Sequence, residues 1–347
     1  MKISKFDLQK DGTYIIAELS ANHNGSLQVA LDTIKAAKEI GADAIKLQTY
    51  TADTLTLDSC KEDFMISGGT LWDGTSLYKL YQEAHTPWEW HKELFAYAKE
   101  IGIDIFSSPF DKSAVDFLEE FNPPAYKIAS FEITDYELVR YTASKGKPII
   151  ISTGIATLEE IEDVVNICRE VGNEDIVLLK CTSAYPAPLE EANLIMIEDL
   201  AKRFGVVSGF SDHTLGIVAP IVAVAQGAKV IEKHFILDKS IGGADVDFSL
   251  DKEEFAQLVQ AVRDAEKLLG RVDYAMTDKK QKSRQFSRSL YVAKDIKKGE
   301  IFTEENIRSV RPGYGLHPKY LKEILGKRAK QDMKFAQALT DKDINME

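Results

Sequence analysis

Eight short apolar, β-prone runs alternate with eight amphipathic helical patterns between residues 14 and 269. The runs are residues 14–19 (YIIAEL), 44–49 (AIKLQT), 104–107, 126–129, 148–152, 176–181, 206–210 and 229–234. Apolar positions recur at helical spacing over residues 27–40, 87–101, 112–121, 136–144, 158–171, 191–204, 215–226 and 252–269. Gly41 and Gly102 stop the first two helices, and Thr157 with Glu160 forms a capping box before the fifth. Near-continuous apolar strands with short connections imply a parallel sheet covered on both faces. Eight such units in roughly 250 residues imply an α/β fold that closes into a (β/α)8 TIM barrel over residues 1–270. An open doubly wound sheet is the alternative, but no G-x-G-x-x-G follows the first strand.

One long insertion, residues 50–86, follows the second strand. It carries Trp72, the Gly68–Gly69 pair and several further aromatics, so a packed lid or substrate wall is expected, with a purely structural flap as the alternative. Residues 271–287 turn polar and basic and read as a linker or arm. Residues 288–347 form a small second module, with short strands around a Lys298–Gly299 turn and a short helix stopped by Gly326. A module of that size folds only marginally alone, so docking to the barrel or to a partner subunit is expected.

Composition narrows the class of partner. The 43 Lys and Arg against 55 Asp and Glu leave a formal charge of −12, which disfavours nucleic acid. There is no apolar run of transmembrane length and no signal-peptide pattern over residues 1–12, so no membrane partner is expected. Cys60, Cys168 and Cys181 have neither metal nor disulfide spacing, which fits free thiols in a reduced cytoplasm.

Two stretches late in the barrel, VVSGFSDHT and KVIEKHF, each end in a polar cluster with one histidine, His213 and His234. They lie about 20 residues apart, roughly one strand–helix repeat. If the two runs are neighbouring parallel strands, both imidazoles reach the same rim and suit a divalent cation. Either histidine alone is more simply a satisfied rim residue.

Active sites of such barrels lie at the C-terminal ends of the strands. The polar residues there are Glu18, Asn22 and His23; Lys46 and Gln48; Ser107 and Ser108; Lys127, Ser130 and Glu132; and Ser152, Thr153 and Gly154. The later strands add Thr182, Ser183 and Tyr185; Ser211, Asp212 and His213; and Glu232, Lys233 and His234, followed by Asp245 and Asp247. Strand alternation puts Lys46 with Gln48, and Glu232 with His234, on one face each. A lysine within an apolar strand is costly unless paired or liganded. Lys46 and Lys127, with hydroxyls from Ser108, Ser130, Ser152 and Ser211, therefore suit an anion carrying phosphate and carboxylate. The alternative is that both lysines only pair with Glu18 or Glu132. Glu18 is a candidate base, or a lysine's structural partner. From the residues alone, this is a metal-assisted enzyme acting on a small phosphorylated or carboxylated substrate; a sugar- or anion-binding protein without chemistry is the competing class.

The motifs IIAELSANHNGS, FSSPFD, YKIASFE, ISTGIAT, LKCTSAYPAP, GFSDHT and VIEKHF resemble the sialic acid synthase family. RSLYVAKDIKKGE and VRPGYGLHP resemble its C-terminal antifreeze-like (SAF) domain. The resemblance spans essentially the whole chain. It implies condensation of phosphoenolpyruvate with an open-chain N-acetylated amino sugar, assisted by Mn2+ or Mg2+, with release of phosphate by C–O cleavage. AELSANHNGS, KEDFMISGGTLWDGTSLYKLY and TPWEWH look most like the branch that uses 2,4-diacetamido-2,4,6-trideoxy-L-altrose. Branches using a legionaminic-type sugar or N-acetylmannosamine are the alternatives. Carried over by motif, His213 and His234 would hold the metal and Glu18 would act as base or water orienter. Lys46, Ser108, Lys127, Ser130, Ser152 and Ser211 would hold phosphoenolpyruvate, and Asp245 and Tyr185 the sugar. Arg311 would reach an acetamido group from the partner subunit, which implies a domain-swapped homodimer.

Overall fold

A computed structural model describes residues 1–67 and 73–345, so the Gly68–Gly69 pair and Trp72 lie outside the described residues. By contact the chain divides into two compact units, Met1–Gly270 and Arg271–Glu347.

The first unit opens with a two-stranded antiparallel hairpin, β1 (Lys2–Ile3) and β2 (Phe6–Asp7). Eight parallel strands follow: β3 (Tyr14–Glu18), β4 (Ala44–Thr49), β5 (Asp104–Pro109), β6 (Tyr126–Ile128), β7 (Ile149–Ser152), β8 (Ile176–Cys181), β9 (Val207–Asp212) and β10 (Val230–His234). They close in chain order, with β10 pairing β3. The helices of the unit are α1 (Leu27–Glu39), α2 (Ala52–Leu55), α3 (Leu77–Ala84), α4 (His91–Ile101), α5 (Lys112–Glu119), α6 (Tyr136–Ala143), α7 (Leu158–Glu170), α8 (Met196–Phe204), α9 (Val218–Ala225) and α10 (Lys252–Leu269). The capping box of Thr157 and Glu160 starts α7, and Gly102 ends α4 in the left-handed conformation that lacks a steric penalty only for glycine.

Alternation along each strand sorts the side chains into two layers. Ile15, Ala17, Ile45, Leu47, Ile105 and Leu178 pack outward against the helices. Tyr14, Ile16, Ala44, Phe106, Ile150 and Val177 fill the barrel's interior near its N-terminal end, where Ile3 and Leu8 of the hairpin segment join them. One or two steps further along the same strands the interior positions become Glu18, Lys46, Ser108, Lys127, Ser152, Ser211 and Glu232. A dry floor therefore lies beneath a polar mouth. Gly209 keeps β9 and β10 close, because a Cβ there would stand 2.3 Å from the Val230 carbonyl oxygen.

The described residues of the insertion hold local structure. Thr51 and Thr54 form the capping box of α2, and an antiparallel bridge joins Met65 to Ser76 just before α3. The Tyr78 hydroxyl donates to Asp53 at 3.1 Å and ties α3 to α2.

The second unit has its own apolar cluster, which includes Leu290, Val292, Phe302, Ile307, Met333 and Leu339. Its strands β11 (Ser289–Val292) and β12 (Ile307–Val310) pair antiparallel. Two short helices, α11 (Asp278–Ser283) and α12 (Leu321–Ile324), lie on either side in sequence. The former falls in the stretch read as a linker.

Candidate active site

The closure register brings three strands' charged ends together. Glu18 faces His234 on one side and Lys46 on the other, while Glu232 faces Ser211. Lys46 Nζ lies 2.5 Å from Glu18 and 3.9 Å from Glu232, and donates to Ser108 Oγ at 3.2 Å. Lys127 Nζ lies 3.7 Å from Glu232 and donates to Ser152 Oγ at 2.8 Å. Ser211 donates to Glu232 at 3.1 Å. Both lysines are thus paired, but the partner of Lys127 is Glu232, reached across the barrel, rather than Glu132. The pairing does not exhaust these groups: Glu232 Oε2 is buried with no hydrogen-bond partner.

The electrostatics follow from burial. Desolvation raises the Glu18 carboxyl above its usual range, Glu232 adds to the rise, and Lys46 opposes it. For Glu232 burial acts in the same sense, but Lys127 and Lys46 outweigh it and hold the carboxyl low. Burial resists the charge on Lys46, yet Glu18 and Glu232 more than compensate and raise it. Burial lowers Lys127 despite Glu232. Two ammonium groups with hydroxyl donors beside them make a receptor for an anion with two charged ends.

Beside this cradle, Ser130 Oγ accepts from the Ser183 hydroxyl at 2.8 Å and from the Ile155 N–H at 3.2 Å. Gly154 closes over them; a Cβ there would lie 2.3 Å from Ser183 Oγ and 2.7 Å from Ser130 Oγ. Cys181, not singled out from its spacing, sits in the same corner with its Sγ 3.8 Å from His213 Nδ1.

The two histidines do share one rim, with ring centroids 5.4 Å apart. His213 Nδ1 donates to the Thr182 carbonyl at 3.0 Å, which leaves Nε2 with its lone pair. Burial and His234 push the His213 pKa down to about 3, so its ring is neutral. His234 Nδ1 is buried without a hydrogen bond, 3.6 Å from Asp245 Oδ2. Burial opposes the charge on Asp245, but His234, Ser20 and the Ala21 N–H outweigh it and keep the carboxyl ionised. Among the described residues no group of three or more His, Cys, Asp or Glu side chains is arranged to hold a metal. The imidazole pair nonetheless fits a divalent cation whose remaining positions are taken by ligand oxygens or water. Tyr185 packs on His213 at 4.4 Å, and Phe248 packs on His234 at 4.8 Å.

A cavity of about 360 Å³ opens beside Tyr185, His234 and Phe248. Gln48, Tyr185, His234 and Asp245 form its barrel side, together with Ser20 and Glu132. Burial raises the Glu132 carboxyl to about 7. Phe248, Tyr50 and Tyr81 also line the cavity; they stand in aperiodic loops or the insertion, where strand alternation gives no signal.

Several polar candidates face elsewhere. Asn22 clamps the Phe235 carbonyl and Ser249. His23 packs against Trp90. Ser107 and Thr49 bond to each other, and Thr49 bonds to His91 in the helix layer. Lys233 pairs with Asp212 outside the barrel interior, and Asp247 is exposed. Arg311 is exposed on the second unit.

An eight-stranded parallel barrel with paired lysines, hydroxyls and two histidines at its C-terminal mouth defines a class of anion-handling barrel enzymes. The chain belongs to the NeuB family, whose profile matches residues 33–274, and an SAF domain matches residues 287–345. It is 56% identical over 343 residues to the pseudaminic acid synthase of Campylobacter jejuni serotype O:23/36, covering 99% of each chain. The N,N'-diacetyllegionaminic acid synthase of Legionella pneumophila is 39% identical over 325 residues, covering 92% of this chain and 91% of its own. Among solved structures, the N-acetylneuraminic acid synthetase of Leptospira borgpetersenii in complex with citrate superposes with a TM-score of 0.72 at 30% identity. That match covers 82% of this chain and 94% of that one.

Proposed function

We propose that this chain is a pseudaminic acid synthase. It condenses phosphoenolpyruvate with 2,4-diacetamido-2,4,6-trideoxy-L-altrose and water to give pseudaminic acid and phosphate. The observation that carries this reading is the full-length similarity at 56% identity, against 39% for the legionaminic counterpart. The site's chemistry supports it.

Lys46 and Lys127, with Ser108, Ser130, Ser152 and Ser211, hold the phosphate and carboxylate of phosphoenolpyruvate. Glu18 and Glu232 keep both lysines in place before the anion arrives. Carbon 3 of phosphoenolpyruvate bonds to the sugar's aldehyde carbon, water adds at carbon 2, and the bond from carbon 2 to the phosphate oxygen breaks. Glu18, with its carboxyl raised by burial, orients that water or takes its proton. Asp245 and Tyr185 hold the sugar over the histidines. His213 and His234 would hold Mn2+ or Mg2+, which supplies Lewis-acid polarisation of the aldehyde oxygen when bound.

The working unit is a cytoplasmic homodimer in which Arg311 of one subunit reaches the other subunit's sugar. Exposed apolar residues on the first unit, among them Leu158, Ile195, Leu215 and Val218, support a subunit interface. Three free thiols support a reducing compartment.

The test is phosphate release with Mn2+ and phosphoenolpyruvate, run in parallel with the diacetamido-altrose, its legionaminic-type epimer and N-acetylmannosamine, with mass analysis of products. Turnover confined to the altrose is the expected result. Turnover with another sugar alone overturns the substrate assignment, and no turnover with any of them overturns the reading as a whole.

A further inference from the structure

The cavity beside His234 is lined by residues of the barrel and of the insertion, and the two sets differ in chemistry. Its charged groups all come from the barrel side, where Glu132, His234 and Asp245 stand with Ser20, Gln48 and Tyr185 among apolar neighbours such as Phe110, Phe131 and Phe248. The insertion's contribution carries no charge: Leu55, Ile66, Leu77, Leu80 and Ala84, with Tyr81 adding one hydroxyl. Four of these sit on α3 at positions 77, 80, 81 and 84, the spacing of one helix face. That face is half-buried, while Lys79, Gln82 and Glu83 on the other are exposed. No residue of α3 is fully buried, so its apolar stripe is not consumed by the protein core. The stripe is nevertheless fixed in place. Tyr81 packs edge-on against Tyr50, which packs edge-on against Phe110, and Tyr78 is tied to Asp53.

We propose that this face of α3, with Leu55 and Ile66, is the specificity wall that receives the C6 methyl of the sugar and excludes a C6 hydroxyl. The inference rests on the synthase reading above. The reacting aldehyde carbon must meet phosphoenolpyruvate, and so lies toward His234 and the buried lysines. The far end of the open-chain sugar then points away from the barrel axis, toward the insertion. A methyl there meets the side-chain carbons of Leu77, Leu80 and Ala84. A hydroxyl would lose its water and find no donor or acceptor on Leu77, Leu80 or Ala84. Apolar walls discriminate moderately against an added hydroxyl, by up to roughly 100-fold.

The experiment compares the 6-deoxy substrate with 2,4-diacetamido-2,4-dideoxy-L-altrose, which differs only by a hydroxyl at C6. The enzymes are the wild type, Leu80→Ser and Ala84→Ser. In wild type kcat/KM should favour the 6-deoxy sugar by roughly 10- to 100-fold. Each variant should cut that ratio by about tenfold, through the sugar KM, while the KM for phosphoenolpyruvate stays unchanged. An unchanged ratio in both variants, or an equal loss on both sugars, overturns the wall. Ala84→Ser adds a single oxygen at a half-buried position, so it decides the matter if Leu80→Ser folds poorly. A wild-type enzyme inactive on both sugars overturns the synthase reading itself; an active one with unaltered ratios in the variants overturns the wall alone.

Discussion

Glu18 and Lys46 occupy facing positions on adjacent barrel strands, and their charged ends meet 2.5 Å apart at side-chain exposures of 1% and 4%. Neither charge would be tolerated there alone. Removing one partner of a buried pair leaves an uncompensated ion and costs about 3–5 kcal/mol, whereas replacing both with neutral groups is often close to neutral. Lys46→Met should therefore destabilise the barrel by about that amount, and Glu18→Gln combined with it should recover most of the loss. On the proposed function, activity should remain lost in the double variant, because the lysine assigned to the anion and the carboxylate assigned to the water are both gone. Denaturant melts of the two single variants and the pair form the double-mutant cycle. A double variant no more stable than Lys46→Met would contradict the pairing.

Glu132 gives a pH dependence whose sign is fixed by burial. Its carboxyl is raised from the usual 4.5 to about 7, chiefly by desolvation. The folded state therefore binds its proton more tightly than the unfolded state does. Below about pH 4.5 both states are protonated and the group is neutral toward stability. Between about pH 4.5 and 7 the unfolded state gives up this proton while the folded state keeps it, so stability falls, by on the order of 3 kcal/mol by the time the buried carboxylate has formed above pH 7. Glu132→Gln lacks that loss. Its stability advantage over wild type should be small near pH 4.5 and full above pH 7.5. Paired urea titrations across that range measure it, and a constant difference would show that Glu132 is not desolvated.

Much of this site is legible in the sequence, because strand alternation is a strict physical rule. Period two predicts that Lys46 and Gln48 share a face and that Glu232 and His234 share another. Both Lys46 and Gln48 meet Glu18, and the two histidines meet across β9 and β10. Contacts across the barrel do not follow from period two. Lys127 finds Glu232, four strands away, rather than Glu132, five residues on, since only closure and shear decide who meets over the axis. The β1–β2 hairpin escapes notice because two-residue strands carry no periodicity. Phe248 and the cavity-lining residues of the insertion escape it too: they obey no strand alternation, so their approach to His234 and to the cavity is settled only by packing. Lys233 is the opposite case. It stands in a polar cluster at the rim, and the same alternation that puts its neighbours inside turns it outward.

That outward lysine yields a further expectation. Lys233 Nζ lies 2.5 Å from Asp212 Oδ2 and donates to the Thr214 carbonyl, while Asp212 Oδ1 accepts the Thr214 N–H. The pair is fully buried and brackets both histidines, one residue from each. Its contacts are to each other and to Thr214, so on the proposed reading it positions the histidines. Lys233→Met should lower Mn2+ affinity by about 10- to 100-fold, as loss of supporting contacts commonly does. Calorimetric titration with Mn2+ separates this from a loss of fold alone. Unchanged affinity in a destabilised variant would reduce the pair to a purely structural role.

The subunit arrangement can be tested by complementation. Arg311 is exposed on the second unit and makes no hydrogen bond or ion pair among the described residues. If it serves the partner's site, then His234→Ala and Arg311→Ala protein should each be nearly inactive. Mixed after mild dissociation, they should regain activity. A heterodimer places the intact Arg311 of the His234→Ala chain over the intact barrel of the Arg311→Ala chain, so one of its two sites is complete. Random reassortment from equal amounts makes about half the dimers mixed, which sets recovery near a quarter of wild-type turnover. If Arg311 instead serves its own barrel, every site in the mixture lacks either the histidine or the arginine, and no activity returns. Phosphate release by the remixed pair, with each variant alone as control, distinguishes the two outcomes.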